Sequence, residues 1–143
     1  MAFDPVTDFP LGLERPDLVT TPGGHRLDEV TLEAVREGRL GPDDVRATAE
    51  TLRRQSAVAL ASGRRQLADN LARAAELVSV PADTVLDIYT ALRPGRSSAE
   101  ELEAWAQRLE AEWDAPLTAA FVREASDVYA RRGLLASGER ARI

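Results

Sequence analysis

Three sets of side chains in this 143-residue sequence could do chemistry or grip a ligand: a lone histidine, two arginines at a helical corner, and two tryptophans on one helix. His25, the single histidine, follows Gly23-Gly24 in a proline-rich stretch. An imidazole becomes a base or a metal ligand when a second group orients it or shares the metal. With no other histidine and no cysteine, a transition-metal site has no donor set, and His25 reads as a solvated turn residue. Carboxylates are plentiful, but they fall on the outer faces of the expected helices, as Glu110 and Asp114 do around Arg108. A catalytic pair of acids needs a shared cleft, and no spacing here builds one. Thr21-Pro22-Gly23-Gly24 follows no strand and precedes no suitable helix, so it is not a phosphate loop.

Arg93 and Arg96 are the sharper feature. They flank Pro94-Gly95, and two guanidinium groups beside a helix start could hold a phosphate or a carboxylate. The plainer reading pairs them with acids of this chain or of a partner. Trp105 and Trp113 lie eight residues apart on the face that also carries Leu102, Ala106 and Leu109. Trp105 reads as core, whereas Trp113, near a helix end, is placed to anchor an interface. The residues alone offer no active site. They describe a protein that binds another protein.

The elements that position these groups are all helical. Val85, Ile88, Tyr89 and Leu92 recur at helical spacing and predict one buried face. Pro94 ends that helix and Gly95 turns the chain. Ser97 with Glu100, or equally Ser98 with Glu101, makes a capping box for the next helix. Upstream, Thr31 begins a short helix closed by Gly38. Gly41-Pro42-Asp43-Asp44 reads as the start of a helix running to Ala61, with Val45, Ala49, Leu52, Ala59 and Leu60 inward. A helix over about 64–79 sets Leu67, Leu71, Ala74, Ala75 and Val78 on one side. The last helix begins at Pro116, aligns Leu117, Phe121, Ala125, Val128 and Tyr129, and finishes at Arg131-Arg132-Gly133. Strand alternation and hairpin dipeptides are missing. The fold expected is all-α, a compact bundle of five to six helices.

Residues 1–26 hold four of the eight prolines and read as an extended arm. Its Phe3, Phe9, Leu11, Leu13, Leu18 and Val19 carry too much apolar surface for water, at about 1.5–3 kcal/mol per fully buried large side chain. The arm is therefore expected to lie on its own domain or on a partner. A helical domain over 27–135 and a frayed tail over 136–143 complete the expected organisation.

Composition narrows the function. A formal net charge of −6 argues against non-specific binding to a nucleic-acid backbone. All 18 basic residues are arginine, the side chain suited to pairing with carboxylates. The absence of cysteine rules out a disulfide or a thiolate nucleophile and fits a cytoplasmic protein. No apolar run approaches the roughly 20 residues of a membrane span, and Met1-Ala2-Phe3-Asp4-Pro5 does not resemble a cleaved signal.

Tyr89-x-Ala91-Leu92-Arg93-Pro94-x-Arg96-Ser97-Ser98, with Glu101-Leu102 after it, resembles the small subunit of the adenosylcobalamin-dependent diol and glycerol dehydratases. The similarity runs from Asp8-Phe9-Pro10-Leu11 through Thr31-Leu32-Glu33, Asp44-Val45-Arg46 and Arg73-Ala74-Ala75-Glu76-Leu77 to Ala119–Ala125 and Tyr129. The resemblance implies a heterohexamer of two large, two medium and two small subunits that converts 1,2-diols to aldehydes by a radical mechanism. It implies that adenosylcobalamin is bound by the other subunits and not by this chain. It makes this chain a non-catalytic subunit of a lyase that packs on the large, catalytic barrel subunit, with no catalytic, cofactor or metal residue of its own. Phe9, Leu11, Tyr89, Arg93, Arg96 and Trp113 are the interface residues expected. Gly95 stands where relatives often carry a larger residue, which is expected to loosen the corner. Packaging in a protein microcompartment through an N-terminal extension is not expected here. The competing reading is a free-standing helical adaptor or regulator with an unrelated partner.

Overall fold

Proline, glycine and hydroxyl residues punctuate the chain, and the helices fall between them. The computed structural model describes residues 2–136. Among them seven α-helices form: α1 (Leu11–Glu14), α2 (Leu32–Arg36), α3 (Ala49–Ala61), α4 (Arg65–Leu77), α5 (Ala82–Ala91), α6 (Ala99–Trp113) and α7 (Pro116–Arg132). Three 3₁₀ turns accompany them, at Pro16–Leu18, Leu27–Glu29 and Pro42–Val45. The one β feature among the described residues is an isolated antiparallel bridge between Thr20 and Arg26. The all-α expectation holds, with α3 to α7 as the long helices. The chain divides into two compact units, one up to Val78 and one from Ser79 onward, where a single helical domain was expected.

In the first unit α3 packs on α4. Thr48 caps α3, its hydroxyl accepting the Thr51 N–H at 3.1 Å. The sequence reading placed this start at Gly41-Pro42, but that proline opens only a 3₁₀ turn, and extended backbone at Arg46 separates it from α3. Val45 consequently stands exposed. The contact between α3 and α4 is made through small residues: Ala59, Ala68 and Ala75 are buried, and the Ser56 hydroxyl donates to the Ala68 carbonyl at 2.8 Å. Leu67 and Val78, expected inward, are exposed.

The first 26 residues are not uniformly extended. They hold α1, the turn at Pro16–Leu18, the bridge and a cis Phe9–Pro10 bond. Arg15 joins Asp8 and Asp17 at 3.0 and 2.9 Å, and Arg54 of α3 donates to the Leu18 carbonyl at 2.6 Å. This segment therefore belongs to the first unit.

In the second unit α6 packs on α7. Leu102, Ala106 and Leu109 of α6, with Ala119 and Val122 of α7, are almost wholly excluded from solvent. Asp114, at φ +50°, ends α6, and Pro116 enters α7 at its first position, where a missing N–H costs nothing. The α7 face read from sequence is rotated in the fold: Thr118, Ala119 and Val122 face inward, while Leu117 and Phe121 are half exposed. Alanines let two helices approach closely, so the seam selects the small-residue stripe and leaves the larger side chains at its margin.

The corner between α5 and α6 takes the second of the two cap registers. Ser98 accepts the Glu101 N–H at 3.2 Å while Glu101 accepts the Ser98 N–H at 2.8 Å. Ser97 is buried instead, its hydroxyl donating to the Ala91 carbonyl at 2.9 Å. Gly95 adopts φ +74°, and its N–H donates to the Leu134 carbonyl at 2.7 Å. The glycine thus shapes the corner and fastens it to the end of α7, where loosening was expected. A Cβ there would meet no atom within 4 Å, so the constraint is one of backbone conformation. Gly95→Ala is expected to destabilise the chain by about 1–2 kcal/mol, measured by urea denaturation. Ala136, assigned to a frayed tail, donates its N–H to the Ser97 carbonyl at 2.9 Å; positions 137–143 lie outside the described residues.

Candidate interaction surface

Helix α5 sets up the surface. Ile88 faces inward and is buried, with Val85 and Leu92 half-buried beside it. Tyr89, expected on that same face, points outward and is 69% exposed. A residue three positions earlier lies on the same side of a helix, and Leu86 there is 65% exposed. Arg93, four residues past Tyr89, extends the stripe beyond the end of α5. The sequence carried this signal as Leu86, Tyr89 and Arg93 at i, i+3 and i+7, but the overlapping set Val85, Ile88, Tyr89 and Leu92 read as a face first.

Arg93 and Arg96 are both exposed, and neither side chain makes an ion pair or hydrogen bond among the described residues. Behind them, Tyr129 of α7 donates its hydroxyl to the Leu92 carbonyl at 2.5 Å. That bond satisfies the end of α5 and holds α7 to it.

Trp113 is half-buried in an arrangement that sequence reading did not anticipate. The Arg108 guanidinium lies 4.7 Å from the Trp105 ring centroid and 5.6 Å from that of Trp113, within cation–π range of both. Glu112, and not the expected Glu110 or Asp114, takes its charge at 2.9 Å. This pairing raises the Arg108 pKa and lowers that of Glu112, the shared hydrogen bond being the largest cause for each.

Glu110 goes to Arg123 of α7, which also holds Glu103: Nη1 reaches Glu110 at 2.6 Å and Nε reaches Glu103 at 2.9 Å. This fork across α6 and α7 raises the Arg123 pKa, Glu110 contributing most and Glu103 next. Hydrogen bonding to Arg123 pulls both glutamates below their ordinary value of 4.5. The unfolded chain then takes up protons at a higher pH than the folded one. The stability these carboxylates contribute is complete above about 4.5 and is lost as pH falls through their lowered values. Thermal melts from about pH 6 downward should show Tm dropping on the acid side, and Arg123→Gln should flatten that acid limb.

Of the remaining candidates, Phe9 is 57% exposed, whereas Leu11 is buried and its side chain is spent on the chain's own fold. His25 lines a shallow cavity of about 280 Å³ together with Val19, Leu27, Val30 and Asp44. Asp44 accepts the Thr21 hydroxyl at 3.0 Å and the Gly41 N–H at 2.9 Å, and its pKa is lowered chiefly by the Gly41 bond, with His25 a lesser cause. These bonds fasten the turn at 21–25 to the turn at 41–45. Among the described residues no group of three or more His, Cys, Asp or Glu could hold a metal ion, and no helix is long and apolar enough to cross a membrane.

Comparison with known proteins finds similarity to dehydratase small subunits. Residues 5–136 match the family described as dehydratase small subunit. The propanediol dehydratase small subunit of Salmonella typhimurium is 48% identical over 127 residues, which is 89% of this chain and 73% of that protein. The propanediol dehydratase small subunit of Citrobacter freundii is also 48% identical over 127 residues, covering 89% of this chain and 74% of its own length.

Proposed function

The chain belongs to the dehydratase small-subunit family, and on that premise we propose that it is the non-catalytic structural subunit of a propanediol or glycerol dehydratase. The enzyme is a hydro-lyase in which this chain packs on the large catalytic subunit, alongside a medium subunit, in a cytoplasmic heterohexamer. The observation that carries this reading is 48% identity over 89% of the chain to two propanediol dehydratase small subunits.

Adenosylcobalamin would supply the radical that starts the dehydration. We place the cofactor on the large and medium subunits, where the family resemblance puts it, and route no step of the reaction through this chain. Its own residues do the work of shape. The α6–α7 seam makes a rigid body, the Arg123 fork ties its two helices together, and the Gly95–Leu134 bond sets the arginine corner against the end of α7.

Co-expression with the large and medium subunits, purification through a tag on this chain and a dehydratase assay with adenosylcobalamin test the proposal. A three-component complex that turns propane-1,2-diol or glycerol into an aldehyde, and that loses assembly or activity when this chain is omitted, is the expected result. A chain that elutes alone, beside a fully active pair of the other two, would overturn it.

A further inference from the structure

Arg15, Arg26, Arg39, Arg46, Arg54, Arg108 and Arg123 each sit in an ion pair with an acid of the same chain. Arg93 and Arg96 are among the described arginines that do not, although the chain carries an excess of acid. The nearest acids in sequence are engaged at the start of α6. Glu101 accepts the Ser98 N–H at 2.8 Å, and Glu100 is held below its ordinary pKa, first by its own backbone N–H and then by Ser98. Part of the positive charge offsets the negative end of α5, but a helix terminus amounts to only about half an elementary charge, less than either guanidinium.

Directly along α5 from this corner lie Tyr89 and Leu86, 69% and 65% exposed on the side opposite buried Ile88. The Tyr89 hydroxyl has no hydrogen-bond partner among the described residues. Exposed tyrosine and arginine beside an apolar neighbour form the composition that dominates binding at protein interfaces. The corner beneath them is rigid, fixed by the bonds from Gly95 to Leu134, from Ser97 to Ala91 and from Tyr129 to Leu92. Few degrees of freedom would be lost on docking there.

We propose that the outward stripe Leu86–Tyr89–Arg93, with Arg96 at its end, is the docking surface for the large dehydratase subunit, and that it seats in an apolar patch of that subunit rimmed by carboxylates. This assignment rests on the dehydratase reading above and adds to it the face and the chemistry of the contact. The arginines select a carboxylate rim because their planar forks take two acceptor oxygens each; Tyr89 and Leu86 supply the apolar centre.

The test uses the full chain co-expressed with the large and medium subunits, in wild-type form and as Tyr89→Ala, Arg93→Glu with Arg96→Glu, and Phe121→Ala as a control on another exposed face. Circular dichroism and Tm of each isolated chain check that it is folded; all the substituted side chains except half-exposed Phe121 are largely in solvent. Tyr89→Ala and the double charge reversal should each retain at least about tenfold less large subunit, while Phe121→Ala retains it. Wild-type retention should fall as salt is raised. Wild-type capture that is matched by both the Tyr89→Ala and the charge-reversed chains would overturn the surface and leave the dehydratase reading standing. A wild-type chain that captures no large subunit would overturn that reading itself. A dimer of the isolated chain, seen by ultracentrifugation and broken by Tyr89→Ala, would also overturn the assignment and give the stripe to a second copy.

Discussion

Leu109→Ala should destabilise the chain by about 2–5 kcal/mol, the range for removing a buried leucine side chain from a packed seam. Leu109 is fully excluded from solvent, and its neighbours on the same side of α6, Leu102 and Ala106, are as well. Its backbone is also committed, because the carbonyl accepts the Ala115 N–H at 3.0 Å where the chain leaves α6 for α7. Collapse around the missing side chain is therefore restricted, and the cost belongs toward the upper part of that range. A chain of this size has roughly 5–15 kcal/mol of stability in total, so the variant loses a large share of it. Urea denaturation would show the midpoint shifting down with little change in slope. An unfolding free energy within about 0.5 kcal/mol of wild type would mean that the seam does not hold the second unit together.

The helices and their punctuation were legible because their causes are local. Pro94-Gly95, Thr31 with Gly38, and Pro116 each act within one turn of chain, and each ends or starts a helix where read. Even the choice between Ser97 and Ser98 as cap was narrowed to two registers, and the burial of Ser97 against the Ala91 carbonyl decides it. Thr48 was missed because Gly41-Pro42-Asp43-Asp44 has the stronger starting composition, and only the extended backbone at Arg46 shows that its helix does not continue. The division near Val78 has no local signal at all, since Pro81 reads equally well as a corner inside one domain.

The candidate surface was legible in part. Tyr89, Arg93 and Arg96 stand out by type and position, but that they have no partner among the described residues follows from the fold and not from local spacing. Arg123 makes the converse case: it meets Glu103 twenty residues away and Glu110 thirteen away, so no helical spacing reveals the fork. Face assignments failed where large apolar residues were assumed to mark the inside. In α4, Ala68 is buried and Leu67 is not; in α7, Ala119 is buried while Phe121 is half exposed. Closely packed helices bury what lets them approach, and the sequence does not say how close they come.

That inversion can be tested at two positions of α7, two residues apart. Ala119→Phe should cost about 1–3 kcal/mol or more, because Ala119 has no exposed surface and a phenyl ring is larger than the methyl group it replaces at the seam. The ring must displace α6 or leave its preferred rotamer. Phe121→Ala in the isolated chain should cost clearly less than the 3–5 kcal/mol or so that follows removal of a fully buried phenylalanine, since 43% of Phe121 is already in solvent. Hydrophobicity alone predicts the opposite order, with the phenylalanine the more costly position to change. Denaturation of both isolated chains decides between them: the alanine variant at position 121 should keep most of the wild-type stability while the phenylalanine variant at position 119 loses it. The reverse order would return the Leu117–Phe121 face of α7 to the inside and remove the basis for the seam described between α6 and α7.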